Sequence, residues 1–467
     1  MSLAHGYLLP FHLDVSIDPF HCGSMSPEGQ YLYVPLSLPA LCAGSRLLSQ
    51  RVKPKHSDSG IVTVNFSPHK PEASHIMFRP HMNKSVMFKY VWQVVRRYFA
   101  GKLMRLCIIA LTIFGGHIIP AAAAPLIQKI GAPLSHPWGM DFLDERHLFV
   151  TERSGNLYLV DLFTGTRNSI GNLPAIAAAQ QGGLLDVAVL ANQDSQEKDD
   201  AIIYLCYSLK IGSQTVTAID RAGFDGTNLT NRQTIFQANN PTARAIHYGC
   251  RLVLDQTYLY ASLGDRGDRH DAQDPSRHAG AIIRLLHDGS IPTDNPKQAG
   301  WAPELFSKGH RNPQGLAINP ETGVIWAHEH GPRGGDEINI IQAGQNYGWP
   351  KVSHGEEYVG GSIGSGKKAP GLADPVWVWT PSIAPSGMAF YRGAMFPNLN
   401  GHLLVGSLKF KRLYLVLLEK GLPVQDAIML DGAIGRVRDV AIAADGSVLL
   451  LSDEDDGGLY RIAESGQ

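Results

Sequence analysis

One pattern recurs six times between residue 139 and the C-terminus: a short apolar strand, a turn, and a second apolar strand that ends in polar residues. Residues 139–142 lead to 148–152, 186–189 to 202–206, 251–254 to 258–264, 315–318 to 324–327, 387–390 to 402–407, and 439–442 to 448–452. The units begin roughly 47 to 72 residues apart, and no helical period competes with them. A strand pair of this kind cannot bury its apolar faces alone, so repeated copies stack radially, and the expected fold is an all-β, six-bladed β-propeller. Strands rich in β-branched and aromatic residues, with turns such as Asp445-Gly446, agree with it.

The N-terminal quarter does not share the pattern. Residues 1–103 show no clear periodicity, and they read as an unstructured extension or one that does not belong to the native chain. Met104-Arg105 then precedes the apolar run 106–114, a Gly-Gly break and the segment Ile118-Ile-Pro-Ala-Ala-Ala-Ala-Pro125. A basic start, a short apolar core and small residues at Ala121 and Ala123 describe a secretory signal peptide over 104–123. The apolar run is too short to span a bilayer comfortably. The expected start of translation is therefore Met104 or Met87, with a propeller domain over 124–467 and a periplasmic or secreted location. Arg96-Arg97-Tyr98-Phe99 is a faint twin-arginine pattern.

A net charge of -1 over 467 residues makes no electrostatic case for nucleic acid or an anionic membrane. After Ala123 the cysteines are Cys206 and Cys250. Their spacing allows either a disulfide or two separate small core residues, and the second reading is taken here.

The hairpin topology places the chemistry. Residues before a first strand and after a second strand lie at the same end of the hairpin. Gln181, His247, Arg311, Asn312, Ser382, Arg436 and Arg438 precede first strands, while Asp265, His330, Gly331, Pro332 and Lys409 follow second strands. Five of the six units thus send polar groups to one mouth of the propeller. Arg436 and Arg438 stand at strand spacing, so they share a face. With Lys409 and Arg311 they suit a planar, multiply carboxylated ligand. His247 is a candidate base for a substrate hydroxyl. Gly331-Pro332 offers backbone carbonyls of the kind hard cations accept. Asp336-Glu337 reads as a turn and ladder partner. Residues 264–271 (Gly-Asp-Arg-Gly-Asp-Arg-His-Asp) depart from EF-hand spacing and carry competing arginines, so they read as an ion-paired loop.

These residues carry a resemblance. Gln181-Gly-Gly-Leu-Leu185, His247-x-x-x-Arg251-Leu, Gly309-His-Arg-Asn-Pro-Gln-Gly315, His330-Gly-Pro332, Gly335-Asp-Glu-Ile-Asn339, Asn346-Tyr-Gly-Trp-Pro350, Ser407-Leu-Lys409 and Arg436-x-Arg438-Asp439 stand in this order in the chain. In them, from about Leu126 to the C-terminus, the chain resembles the PQQ-dependent aldose sugar dehydrogenases and soluble glucose dehydrogenases. The resemblance implies a six-bladed propeller that binds PQQ and Ca²⁺ and oxidises an aldose at C1 to an aldonolactone, passing electrons to an external acceptor. It implies that Lys409, Arg436, Arg438 and Asn312 hold PQQ, and that Gln181 contacts the quinone or the substrate. It implies that Gly331 and Pro332 bind Ca²⁺ through their carbonyls. His247 would deprotonate the anomeric hydroxyl as hydride passes to C5 of PQQ, and Arg311 would stabilise the oxyanion. A second, structural Ca²⁺ site would fall at Ser353 to Glu357.

The chain departs from the glucose-selective members at Ile246 (Asp there), at His330 (Gln there) and at Ser382 (often Thr), which leaves the preferred sugar open. Two other readings compete: a Ca²⁺-dependent propeller lactonase and a non-catalytic binding propeller. The first needs no tricarboxylate-binding cluster, and the second predicts that His247 is dispensable. A monomer and a homodimer are equally compatible with the sequence.

Overall fold

The computed structural model describes residues 125–190 and 201–464, together with the backbone of two strands nearer the N-terminus. Those two, Ile61–Val64 and Ser74–Met77, pair antiparallel. The rest of the predicted extension and the predicted signal peptide lie outside the described residues. The chain divides into two units between residues 118 and 119, and the second carries the propeller.

Six sheets of four strands each make up that unit. Their first strands are Pro137–Phe142, Leu184–Leu190, Gly249–Leu254, Pro313–Ile318, Pro385–Phe390 and Val437–Ile442. Each packs against the first strands of the neighbouring blades, so the six close a ring around the axis. Every hairpin read from the sequence is the first and second strand of one blade. The sixth blade takes its outer strand from the other end of the chain, where Leu126–Leu134 pairs antiparallel with Gly457–Ala463.

Adjacent blades are tied by buried carboxylates as well as by apolar side chains. Asp186 Oδ2 accepts the Leu252 N–H at 2.7 Å, Asp439 Oδ2 the Met140 N–H at 3.0 Å, and Asp141 Oδ2 the Val189 N–H at 2.7 Å. In each case a first-strand carboxylate satisfies a backbone donor of the next blade. Arg251 Nη1 lies 3.0 Å from both Asp186 and Asp439, so one guanidinium joins three blades. Close approach demands glycine here: a Cβ on Gly139 would fall 2.2 Å from Asp186 Oδ1, and one on Gly387 would fall 2.1 Å from Asp439 Oδ1. Burial pushes the Asp186 carboxyl up to about 7 and that of Asp141 up to about 6.

Cys206 and Cys250 form a disulfide, which corrects the expectation of two separate core residues. Both are fully buried in the cluster shared by the second and third blades. The fold brings their Cα atoms to 5.6 Å, within bridging range.

Candidate active site

The loops at one end of the ring enclose a cavity of about 530 Å³. Gln181, Asn312, His330, Lys409, Arg436 and Arg438, all expected from the sequence, line it. So do Trp138, Arg153, Gln314 and Asp453, which the sequence reading did not single out. The wall therefore carries four cationic side chains against one carboxylate. That carboxylate, Asp453, would be pushed up by burial, but Arg438 and His136 outweigh this and hold it well below the usual carboxylate range. The Nε of Arg438 is buried without a hydrogen-bond partner, and its Nη1 reaches Gln314 Oε1 at 3.3 Å. A positive wall with an unsatisfied guanidinium donor fits a planar polyanion.

His247 does not itself line this cavity but directly precedes the lining residues Tyr248 and Gly249, and it stands in the left-handed backbone region at φ 49°. Gln181 Oε1 accepts its backbone N–H at 2.8 Å. Its Nδ1 lies 2.7 Å from Asp265 Oδ1, and the Asp265 side chain is almost inaccessible to water. Burial alone would raise the Asp265 carboxyl, but the His247 hydrogen bond and charge, the Gly267 N–H and Arg311 bring it below its ordinary value. An ionised carboxylate on Nδ1 fixes the ring with Nδ1 as donor and leaves the Nε2 lone pair to act as a base. Asp265 came from the sequence only as one of several groups at the mouth, and its pairing with a histidine 18 residues away is a product of the third blade. The rest of residues 264–271 is an ion-paired loop, with Arg244 on Asp268 at 3.0 Å and Arg277 on Asp271 at 3.4 Å.

The fourth blade supplies the turn after its second strand. Arg311 is 7% exposed and donates from Nη1 to the carbonyls of His330 (3.1 Å) and Gly331 (3.3 Å). Its Nη2 reaches the Tyr358 hydroxyl at 3.3 Å. Pro332 is buried in the same turn. Burial lowers His330 to about 4, so at neutral pH its ring is uncharged and Nε2–H donates to the Pro385 carbonyl at 2.7 Å. Asp336 organises this turn as expected: Oδ1 takes the Gly331 N–H, and Oδ2 takes the Ser382 hydroxyl and the N–H groups of Ile383 and Ala384. The Ser382 hydroxyl is thereby committed to Asp336 at 2.6 Å and does not line the cavity. Glu357 forms a two-pronged pair with Arg269. Among the described residues no group of three His, Cys, Asp or Glu side chains is arranged to hold a metal ion.

The glucose / sorbosone dehydrogenase family model matches residues 134–461. The chain belongs to this family of PQQ-dependent aldose sugar dehydrogenases. The aldose sugar dehydrogenase YliI of Escherichia coli is 37% identical over 353 residues, spanning 73% of this chain and 94% of that protein. The apo crystal structure of the soluble aldose sugar dehydrogenase from Escherichia coli superposes with a TM-score of 0.69 at 36% identity, covering 73% of this chain and 99% of that one. The PQQ-bound aldose sugar dehydrogenase of Streptomyces coelicolor superposes with a TM-score of 0.60 at 28% identity, covering 73% and 99%. As a member of the glucose / sorbosone dehydrogenase family the chain is an oxidoreductase, which sets aside the lactonase and the non-catalytic propeller.

Proposed function

We propose that this protein oxidises aldose sugars at C1 to aldonolactones, with PQQ bound in the cation-lined cavity and Ca²⁺ beside it. The observation that carries the reading is the His247–Asp265 pair, whose His247 N–H is held by Gln181, a lining residue of the cavity walled by Lys409, Arg436 and Arg438. The cofactor identity is supported by the PQQ-bound relative from Streptomyces coelicolor.

Lys409, Arg436 and Arg438 would pair with the carboxylates of PQQ, with Asn312 and Gln314 as polar contacts. When bound, PQQ supplies a two-electron acceptor for the hydride leaving C1. Proton handling belongs to the protein. His247 Nε2 takes the proton of the anomeric hydroxyl, and the resulting imidazolium is stabilised through Nδ1 by the Asp265 carboxylate. Arg311, held by two carbonyls and the Tyr358 hydroxyl, keeps a fixed cation available for the negative charge that develops on the sugar oxygen. For Ca²⁺, Gly331 and Pro332 would supply carbonyl oxygens. The Gly331 carbonyl already faces a cation, since Arg311 lies on it. A hard divalent ion takes about six to eight oxygens, so water and the cofactor would complete the shell. Export to the periplasm or medium belongs to the same proposal, and the Cys206–Cys250 disulfide supports it, because such bonds persist in oxidising compartments.

The test is dye reduction by protein beginning at residue 124, with PQQ and Ca²⁺ added separately and together against a panel of aldoses, and an EDTA-treated control. Sugar-dependent reduction that requires both additions is expected. Absence of turnover together with absence of PQQ binding would overturn the cofactor assignment.

A further inference from the structure

The segment Asn346-Tyr-Gly-Trp-Pro350 plays no part in the chemistry above, yet one of its side chains reaches the base. Trp349 lies on the long connection between Asp336–Ile340 and Trp377–Trp379 in the fourth blade. From there its indole Nε1–H donates to Asp265 Oδ2 in the third blade at 2.8 Å. The other oxygen, Oδ1, accepts from His247 Nδ1 at 2.7 Å and from the Gly267 N–H at 2.7 Å. Trp349 is 6% exposed and Asp265 is 1% exposed, so water has little access to take over the indole's role.

A carboxylate tied at one oxygen still turns about its χ2 bond. A donor on the second oxygen, on a different blade, fixes the carboxylate plane, and through it the plane of the imidazole. The guanidinium carbons of Arg269 and Arg311 each lie 5.4 Å from the Trp349 ring, and Arg269 is anchored by Glu357. The charged groups that interact with Asp265 are His247 and Arg311, together with Arg266, Arg269 and Asp271 on its own loop.

We propose that Trp349 is a positioning residue for the base: its indole N–H locks Asp265, and Asp265 in turn sets the direction and tautomer of His247. The kinetic consequence rests on the dehydrogenase reading, while the structural one does not.

The test has two arms. In the first, ¹⁵N NMR of protein without cofactor follows the His247 ring nitrogens and the Trp349 indole N–H through a pH titration. The indole resonance of the unmutated protein is expected to shift together with His247 protonation. In Trp349→Phe, which keeps an aromatic ring and removes the donor, the His247 midpoint and its Nδ1–H tautomer population are expected to change. An indole resonance indifferent to His247 overturns the proposal even if the variant does not fold, as does a folded Trp349→Phe whose His247 titration matches the parent. In the second arm, PQQ-loaded Trp349→Phe is expected to lose about ten- to a hundredfold in kcat with KM changed by less than about threefold. An unchanged kcat in active protein overturns the proposal. Absence of turnover in the unmutated protein would count against the dehydrogenase reading and leave the NMR arm to decide the role of Trp349.

Discussion

His247 holds its position through contacts on both sides of its peptide: the backbone N–H on Gln181, and the ring on Asp265. Replacing it with Ala is expected to reduce turnover by about 10² to 10⁴, the range for a lost general base, while PQQ still binds, as judged by absorbance titration. The cavity cations should behave in the opposite way. Lys409→Ala or Arg436→Ala is expected to weaken PQQ binding by about tenfold each, with turnover restored at saturating cofactor. Gly264 tests the packing behind the base. A Cβ there would fall 2.0 Å from the His247 carbonyl and 3.1 Å from Asn312 Oδ1. Gly264→Ala should therefore displace both a catalytic and a cofactor-facing residue, lowering kcat and PQQ affinity together in the same two assays.

Where blades meet, covalent and ionisable links supplement apolar contact. The Cys206–Cys250 bridge joins the second strand of one blade to the first strand of the next across 44 residues. Loop-closure entropy for that separation gives about 4 kcal/mol, so the Cys206→Ala/Cys250→Ala double variant should unfold at clearly lower denaturant than the parent. Asp141 gives a pH-dependent counterpart. Burial raises its folded value to about 6 from the ordinary carboxyl value of 3.8, so the unfolded state ionises first as pH rises. Its contribution to stability is full below about 4 and is lost as pH climbs through about 6. Asp141→Asn keeps an acceptor for the Val189 N–H without that loss. The melting temperature of Asp141→Asn relative to the parent is therefore expected to rise between pH 4 and 6 and to level off above about 7, measured by calorimetry across that range.

At the scale of the whole molecule, the ring closes with the strand Leu126–Leu134, which registers with Gly457–Ala463 so that Ile130 faces Leu459 and Leu126 faces Ala463. Removing it leaves the sixth blade with three strands and an exposed edge, a template for aggregation. Protein beginning at residue 136 is expected to be insoluble or to lose its cooperative melting transition, whereas protein beginning at residue 124 keeps it. The hairpins themselves were legible in the sequence, because a strand announces itself locally through alternation, β-branched residues and turn signals. The same local logic placed Gln181, Asn312, Lys409, Arg436 and Arg438 at one mouth, since the ends of a hairpin follow from its topology. The closing strand was not legible as such, because its partner lies more than 300 residues away. The disulfide was misread for a related reason: spacing in the chain carries no information on which strands of neighbouring blades face each other. Asp265 and Trp349, 84 residues apart, meet on one carboxylate only because two blades converge there. Local sequence thus determined the strands and the inventory of polar groups at the mouth. The closing of the ring decided which of them touch, because a hydrogen bond depends on ångström distances set by packing between blades rather than by any pattern within one.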